Sequence, residues 1–335
     1  MSPIASDPIV ELANAFRKAK VLLSAVELDV FSALAEKPLT ADALRQKIGI
    51  HDRGARDFFD TLVALRLLVR NASGRYANAP SADHFLVPGR PSYIGGLLNH
   101  MNHREYPSWG KLTAALRTGR AQFGSADKGT YLDLYAEPAA AAEFAAAMTG
   151  ATILPARELA RKFPWGQHKT FIDIGTAEGC LPVEIARAHS HLKGGGFDLP
   201  AVAPSFDAYV SQHRLSDRLR FFPGDFLQDT LPSADVLVMG RVLHNWDLAT
   251  KKLLLAKAFA ALSDDGAIIL YERLIDNERT SNAAGLLGSL NMLIMTTGGF
   301  DYSADDCAQW LHEAGFRNVR VEALTGDQTS VFAHK

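Results

Sequence analysis

The sequence predicts an α/β protein, with a Rossmann-like doubly wound sheet that follows a mainly helical domain of winged-helix layout. Two observations predict this fold class. Apolar residues recur at helical spacing through residues 8–36, and two further helices and a hairpin pattern follow. After Thr170, short apolar runs alternate with helical patterns, as in a mostly parallel sheet covered by helices. We therefore expect a winged-helix domain at residues 1–100, a helical connector at 101–168 and an α/β domain at 169–335.

The composition is that of an ordinary globular protein. Hydrophobic residues make up 47% of the 335 residues, charged residues make up 21%, and the net charge is −2. This charge gives no general attraction to nucleic acid or to a membrane surface. The two cysteines, Cys180 and Cys307, form no disulfide framework, and neither a secretory leader pattern nor a membrane-spanning apolar run is present. We expect a cytoplasmic protein that acts without nucleic acid or a membrane.

The N-terminal domain is predicted to contain a short helix, a longer helix and a two-stranded wing. Thr40 precedes the short helix as its N-cap, and a Ser73-Gly74 turn joins the strands of the wing. The longer helix should turn four apolar residues inward: Phe58, Leu62, Leu65 and Leu67.

The winged-helix layout also occurs in DNA-binding proteins, so the charge of this region matters. Residues 1–100 contain 12 Lys and Arg against 10 Asp and Glu, a net charge of +2. In the candidate recognition helix, Arg53, Arg56, Arg66 and Arg70 are set against Asp57 and Asp60, which is too little for a row of phosphate contacts. The long apolar helices at the N-terminus instead favour a dimer surface, and we expect a homodimer.

Residues 93–165 are predicted to be mainly helical, and residues 100–109 stand out among them. This shorter stretch gathers imidazole, amide, guanidinium and aromatic side chains, from His100, Asn102, His103, Arg104, Tyr106 and Trp109. Two interpretations are open: a partly exposed amphipathic helix, or one wall of a substrate pocket.

Seven strands are predicted in the α/β domain. Their limits are residues 170–175, 195–199, 219–223, 234–239, 267–272, 319–324 and 329–334. The link between the last two strands is too short for a crossover helix, so these two should form an antiparallel hairpin at the sheet edge.

The first of these strands runs into a turn of small residues, Gly175-Thr176-Ala177-Glu178-Gly179, and then into a helix. Such a turn lets a ligand approach the backbone, and the free N–H groups of the next helix can face the ligand. Asp198 ends the second strand, 23 residues after Gly175, where an acid can bind the hydroxyl groups of a ribose. The two features together predict a nucleotide-type ligand.

More functional side chains follow the next strands, where an open α/β sheet binds its ligands. Asp225 and Phe226 follow the third strand, and they offer an acid for an exocyclic amine and a ring to stack on a base. His244 follows the fourth strand and Glu272 ends the fifth, while Asp301 comes later in the chain.

His244 has two interpretations. It can be a surface histidine at the start of a helix that Asn245 or Asp247 caps. It can also be a general base, because a histidine side chain, whose ordinary pKa is about 6.5, accepts a proton at neutral pH. A carboxylate on the other ring nitrogen would fix the tautomer and favour the imidazolium that forms.

Four motifs carry a family resemblance: Asp173 with Gly175 and Gly179, Phe197-Asp198-Leu199-Pro200, Gly224-Asp225-Phe226 and Val242-Leu243-His244-Asn245-Trp246-Asp247. In this order they resemble the small-molecule O-methyltransferases that use S-adenosylmethionine. These include the plant caffeate and flavonoid enzymes, acetylserotonin methyltransferase and bacterial secondary-metabolite enzymes. The resemblance covers nearly the whole chain, because that family also has an N-terminal winged-helix dimerisation domain, and it implies a class I methyltransferase sheet.

The resemblance implies a role for each matching residue. S-adenosylmethionine would be bound by Asp173, Gly175, Gly179, Asp198, Leu199, Asp225, Phe226, Arg241 and Trp246. His244 would be the general base, with Glu272 and Asp301 flanking and orienting it, and no metal is assigned. The substrate would be bound by His103, Arg104, Tyr106, Phe144, Met148, Asn291 and Met295.

The sequence departs from the family pattern at three places. The glycine-rich turn is thinned to Gly175-Thr176-Ala177-Glu178-Gly179, Asn245 replaces the usual Asp, and Gly240 stands where a lysine is common. The cofactor should still fit, while polar contacts to it or to the substrate can differ.

The predicted reaction is methyl transfer from S-adenosylmethionine to a hydroxyl group. Relatives of this scaffold also methylate a thioether sulfur, which needs no base, or a carbon next to a keto acid, sometimes with a metal. Arg104 could pair with a substrate carboxylate, and His103 with His244 could hold a metal. A non-catalytic cofactor-binding regulator is the alternative outside the enzymes, and it should lack the histidine and its acids or carry a basic recognition helix.

Overall fold

The computed structural model describes residues 7–123 and 138–335. The chain forms two compact units, Met1–Arg104 and Glu105–Lys335. Residues 1–6, and residues 124–137 of the segment predicted to be mainly helical, lie outside the described residues. The limits of a separate helical connector stay a prediction.

The N-terminal unit is mainly helical. Its elements are α1 (Asp7–Glu27), α2 (Val30–Ala33), α3 (Ala41–Ile48), α4 (Asp52–Ala64), β1 (Leu68–Arg70), β2 (Tyr76–Asn78), α5 (Pro80–Leu86) and α6 (Gly95–His100). The Thr40 side chain caps α3 by accepting the Ala43 N–H at 3.3 Å, as predicted. The two strands pair antiparallel around a turn in which Gly74 has a φ of 75°, so the predicted wing is confirmed.

One helix face differs from its prediction. Phe59 and Leu62 of α4 are fully buried in the core of the N-terminal unit, whereas Phe58 is only half-buried. The helix ends at Ala64, so Leu65 and Leu67 lie beyond it, while Phe58 and Leu67 pack against the core as partly buried side chains. The reason is geometric: the face that contains Ala55 also contains Phe59 and Leu62, at i, i+4 and i+7, and Phe58 lies beside it.

Residues 100–109 are helical, as predicted, but they do not form one regular α-helix. A π-helical segment, Met101–Glu105, separates α6 from α7 (Tyr106–Trp109). Pro107 supplies a physical reason, because proline lacks an N–H and its ring clashes with the carbonyl four residues earlier in a regular helix. A wider turn avoids that clash.

The C-terminal unit contains one seven-stranded sheet. Its strands are β3 (Thr170–Ile174), β4 (Lys193–Asp198), β5 (Leu219–Pro223), β6 (Ala234–Gly240), β7 (Leu262–Glu272), β8 (Arg317–Thr325) and β9 (Gln328–His334). The strand order is β5-β4-β3-β6-β7-β9-β8. The first five strands run parallel, and β9 pairs antiparallel with both β7 and β8. The predicted doubly wound sheet and its antiparallel edge hairpin are confirmed, and β7 begins five residues before its predicted start.

Helices cover both faces of this sheet. Those of the C-terminal unit that follow α7 are α8 (Leu112–Thr118), α9 (Pro138–Lys162), α10 (Cys180–Ala188), α11 (Ala203–Gln212), α12 (Leu248–Ala261), α13 (Ala283–Met295) and α14 (Ala304–Glu313). Side chains alternate along each strand, so Val236 and Val238 of β6 pack with α9, α10 and α11, while Leu237 and Met239 pack with α12 and α14. Burial on both faces explains why these strands read as continuous apolar runs. In the described parts of the chain, no helix is long and apolar enough to cross a membrane.

Candidate active site

The turn after β3 is built for close approach of a ligand to the backbone. Gly175 has a φ of 74° and Gly179 a φ of 91°, which is a region that favours glycine. A Cβ at Gly175 would lie 2.8 Å from Val242 Cγ2, and one at Gly179 would lie 2.7 Å from the Phe206 ring. Space and conformation therefore both require glycine at these two positions.

Thr176 lies in the thinned glycine turn, and the neighbouring strand accommodates it. The Thr176 side chain is buried, and a Cβ at Gly196 of β4 would lie only 2.1 Å from its Cγ2 atom. The missing Cβ of Gly196 therefore makes room for the methyl group of Thr176. This exchange explains how the turn accommodates Thr176.

Asp198 lies at the end of β4, beside this turn. Its Oδ2 accepts the N–H of Ala177 at 2.9 Å, and its Oδ1 accepts the N–H of Leu199 at 2.8 Å. Each carboxylate oxygen has a second lone pair, so two ribose hydroxyls can still donate to it. Burial raises the pKa of Asp198 to about 6, and the two backbone N–H groups oppose that rise.

Asp173 is a second buried acid, located on β3 one residue from its end. Burial raises its pKa to about 8, the Thr176 hydroxyl opposes the rise, and the negative charge of Asp198 adds to it. A cationic group nearby would favour the ionised form of both acids.

An aromatic pair lies at the ends of β5 and β6. The rings of Phe226 and Trp246 meet edge to face, with centroids 5.7 Å apart. Asp225 accepts the Leu227 N–H at 2.9 Å and the Gln228 side-chain amide at 3.0 Å, which fixes its carboxylate beside Phe226. The glycine turn, Asp198 and this aromatic pair fit an adenosine-type cofactor with an amino-acid tail.

His244 lies in a 3₁₀ turn directly after β6, and it is buried together with both predicted acids. Its Nδ1 atom is 3.2 Å from Asp301 Oδ1, and its backbone N–H donates to Glu272 Oε1 at 3.2 Å. One nitrogen or carboxylate oxygen from each of the three residues lies within 4.8 Å of the other two. Asp247 caps α12 by accepting the Thr250 N–H, as one interpretation expected, but His244 is not a surface residue.

A carboxylate accepts hydrogen bonds, so Asp301 favours the tautomer of His244 that carries its proton on Nδ1. This leaves Nε2 of His244 free to accept a proton. Burial raises the pKa of Glu272, the His244 ring opposes that rise and Asp301 adds to it. The position of Asp301 depends on α13, because a Cβ at Gly288 would lie 2.7 Å from Asp301 Oδ2.

The two other departures from the family pattern also have local explanations. A Cβ at Gly240 would lie 1.9 Å from the Tyr271 ring, so Tyr271 occupies the space that a side chain at this position would need. Asn245 Nδ2 donates to the carbonyls of Arg241 at 2.9 Å and Val242 at 3.3 Å. An ionised aspartate cannot donate these hydrogen bonds, so Asn245 stabilises the turn that carries His244.

A second group of charged residues lies near Asp301: it contains Arg241, which the sequence assigned to cofactor binding, together with Glu105 and Arg273, which the sequence did not reveal. Burial raises the pKa of Glu105, and the positive charges of Arg241 and Arg273 oppose that rise together with a hydrogen bond from Asn291. The Trp109 indole N–H donates to Asn291 Oδ1 at 2.8 Å and so orients this amide. Arg241 has a φ of 57°, which is unusual for a residue with a side chain. In the sequence, the position of Arg241 shortly before the turn that carries His244 is the feature that could have pointed to this group of charges.

Lys251 was also missed, although it is fully buried on α12 beside the catalytic candidates. A periodic pattern could have found it: Lys251, Leu254, Leu255 and Ala258 share one core-facing helix stripe. Burial lowers the pKa of Lys251 to about 8, while the negative charges of Glu272, Asp301 and Asp247 oppose the fall.

The predicted substrate residues fall in both units. In the N-terminal unit, His103 is exposed with its Nε2 atom 3.8 Å from Glu27 Oε1, and Arg104 is half-buried. The C-terminal unit holds the other five, all half-buried: Tyr106, Phe144, Met148, Asn291 and Met295. Phe144 and Met148 share one face of α9, and Asn291 and Met295 are likewise one turn apart on α13. Their role in substrate binding stays a prediction.

Both units match known family models. Residues 10–88 match the O-methyltransferase dimerisation domain, and residues 109–317 match the O-methyltransferase domain.

Two bacterial relatives are similar over almost their whole length. The chain is 42% identical to the tetracenomycin polyketide synthesis 8-O-methyl transferase TcmO of Streptomyces glaucescens, over 98% of this chain and 96% of that protein. It is 37% identical to the N,N-dimethyltransferase OxyT of Streptomyces rimosus, with the same coverage.

Solved structures agree with the sequence comparisons. Human N-acetylserotonin methyltransferase in complex with S-adenosylmethionine (SAM) has a TM-score of 0.92 at 27% identity, over 100% of this chain and 99% of that one. PigF with S-adenosylhomocysteine (SAH) has a TM-score of 0.87 at 25% identity, over 99% and 100%. These matches, with the glycine turn and acids that fit the cofactor, show that the chain belongs to the S-adenosylmethionine-dependent O-methyltransferase family.

Proposed function

We propose that the protein methylates a hydroxyl group of a small polyketide-type acceptor, with His244 as the general base. One observation carries this proposal: the buried contact of 3.2 Å between His244 Nδ1 and Asp301 Oδ1, at the edge of the sheet where the cofactor residues lie. A hydroxyl group is a weak nucleophile until it loses its proton, and a positioned base removes that barrier. The similarity to TcmO supports a polyketide as the source of the hydroxyl.

The proposed mechanism assigns a task to each group. When bound, S-adenosylmethionine supplies an electrophilic methyl group on a sulfonium, and S-adenosylhomocysteine is left after transfer. Nε2 of His244 would take the proton of the acceptor hydroxyl, so that its oxygen could accept the methyl group that the cofactor would supply. Asp301 stabilises the imidazolium, and Glu272 holds the backbone of His244 in place. Asp198, Asp225 and Phe226 fix the cofactor, which aligns the methyl carbon with the acceptor.

The proposal that the methyl group goes to an oxygen atom is tested with a panel of acceptors. Purified protein should be incubated with S-adenosylmethionine and with phenols, amines, keto acids and carboxylate-bearing thioethers, with and without a chelator. We expect methyl ethers from the phenols, with rates that chelation does not change. Amines belong in the panel because OxyT is named an N,N-dimethyltransferase.

The other outcomes separate the alternatives. Transfer only to thioethers would mean that no base is needed, and loss of activity on chelation with recovery on added metal would make His244 a ligand. Cofactor binding without transfer to any acceptor class would favour a regulator. Each of these outcomes contradicts the proposal.

A further inference from the structure

The fully buried ammonium group of Lys251 links the two chain segments that carry His244 and Asp301. Its Nζ atom donates to the carbonyl of Trp246, two residues after His244. The same atom lies 3.4 Å from the centre of the Phe300 ring, directly before Asp301, and 5.7 Å from the centre of the Tyr302 ring. A cation that is buried over aromatic faces makes a strong contact.

The negative charges around this site favour a cation. Glu272 and Asp301 are both 2% exposed, and two carboxylates this close cannot easily both be ionised without a compensating charge. Among the described residues, Glu272, Asp301 and Asp247 are the acids whose charges act on Lys251. Asp247 is exposed and already caps α12, so the buried charges to be balanced are those of Glu272 and Asp301.

We propose that Lys251 is a positioning residue for methyl transfer: its ammonium group holds the His244 and Asp301 segments together and partly compensates the charge of the buried acids. This inference rests on the proposed role of His244 as the base. Lys251 touches neither substrate nor cofactor in this assignment, because the side chain is fully buried. Its effect should therefore appear in the rate of transfer and not in cofactor affinity.

The test compares Lys251→Met with Lys252→Met. Lys252 is the neighbouring residue, partly exposed and paired with Glu313 at 2.7 Å, so it is a matched control. Lys251→Met should lower kcat by about 10- to 100-fold, the usual cost of a small misplacement of catalytic groups. Cofactor affinity measured by calorimetry should stay at the native value, and Lys252→Met should keep the native kcat. A native kcat in Lys251→Met, or a loss confined to cofactor affinity, would overturn the inference.

A second variant keeps the test decisive if Lys251→Met folds poorly. Removing one partner of a buried charge pair is strongly destabilising, whereas replacing both partners is much less so. The double variant Lys251→Met with Glu272→Gln should therefore unfold at a higher temperature than Lys251→Met alone. The Glu272→Gln change keeps the contact to the His244 backbone, since an amide oxygen can still accept that N–H. If there is no charge link, the losses of the two single variants should simply add. A double variant that is less stable than Lys251→Met by the full loss measured for Glu272→Gln alone would therefore contradict the inference.

The two proposals can fail separately. If His244→Ala keeps native turnover, the base assignment is wrong, while the thermal unfolding of the Lys251 variants still tests the charge link. If His244→Ala is inactive and Lys251→Met has native kcat, only the inference about Lys251 is wrong.

Discussion

We propose that Asp198, a single buried residue, makes cofactor binding depend on pH. Its carboxylate accepts hydrogen bonds best when ionised, and its pKa of about 6 in the protein lies well above the ordinary aspartate value. As the pH falls through about 6, protonation removes part of its capacity to accept ribose hydroxyls. The raised pKa also has a cost, because the folded state prefers the neutral acid, so this group makes the fold less stable as pH rises from about 4 to 6.

We therefore predict that S-adenosylhomocysteine binds more weakly at pH 5 than at pH 7. Asp198→Asn should weaken binding at pH 7 by about 1.5–3 kcal/mol, the loss of charged hydrogen bonds. The same variant should flatten the pH dependence of binding. Calorimetric titration measures the affinity, with Asp207→Asn on the exposed face of α11 as the control. Native affinity in Asp198→Asn would contradict the assignment of the ribose site.

At the scale of the elements, the conformations of β4 and of the turn after β3 depend on each other. Gly196→Ala places a Cβ 2.1 Å from Thr176 Cγ2, so either the strand or the turn must move. We predict a loss of about 1–3 kcal/mol in the free energy of unfolding, as for other overpacked sites, together with weaker cofactor binding. Chemical denaturation and calorimetry measure the two effects.

Two variants check the cause of that loss. Gly166→Ala, elsewhere in the C-terminal unit, adds a Cβ that meets no atom within 4 Å. Its free energy of unfolding should stay close to the native value. Adding Thr176→Gly to Gly196→Ala removes the colliding side chain, so the double variant should bind cofactor better than Gly196→Ala does. If the added change brings no recovery, the contact between these two residues does not control the turn.

At the scale of the whole molecule, α1 presents an exposed apolar stripe. Ile9, Leu12 and Phe16 are 71%, 77% and 55% exposed, and their spacing places them on one helix face. The match to the dimerisation domain begins at residue 10, so it includes most of this stripe. Exposed apolar residues that line up in this way are typical of a protein–protein interface, and we propose that they form part of a homodimer interface.

We predict that the native protein is a dimer by light scattering at tens of micromolar. Leu12→Glu with Phe16→Glu should shift it towards monomer, because the interface would bury two unpaired charges. Leu116→Glu changes an isolated residue of the C-terminal unit that is 59% exposed, and it should leave the dimer intact. A native protein that is monomeric at this concentration would refute the proposal.

The sequence predicted the parts of the site that follow strand ends. Asp198, Glu272 and the His244 turn were found because parallel strands bring their carboxyl ends to one edge. Lys251 was not found, because a lysine on a core-facing stripe becomes meaningful only when packing shows which acids surround it. Glu105 was missed for the same reason, and the π-helical segment depends on a steric conflict at Pro107. The exchange between Thr176 and Gly196 joins residues 20 positions apart, and only the strand register reveals it.

The central claim is that His244 removes the proton of an acceptor hydroxyl. The most direct measurement is the single-turnover rate of methyl transfer in the native protein and in His244→Ala, across a pH range that spans ionisation of the acceptor itself. Below that ionisation the native rate should exceed the variant rate by ~10²–10⁴-fold, the usual worth of a positioned base. Above it the acceptor has already lost its proton, so the ratio should fall towards one while cofactor affinity stays unchanged. A ratio near one at neutral pH, or a large ratio that does not change when the acceptor ionises, would contradict the claim.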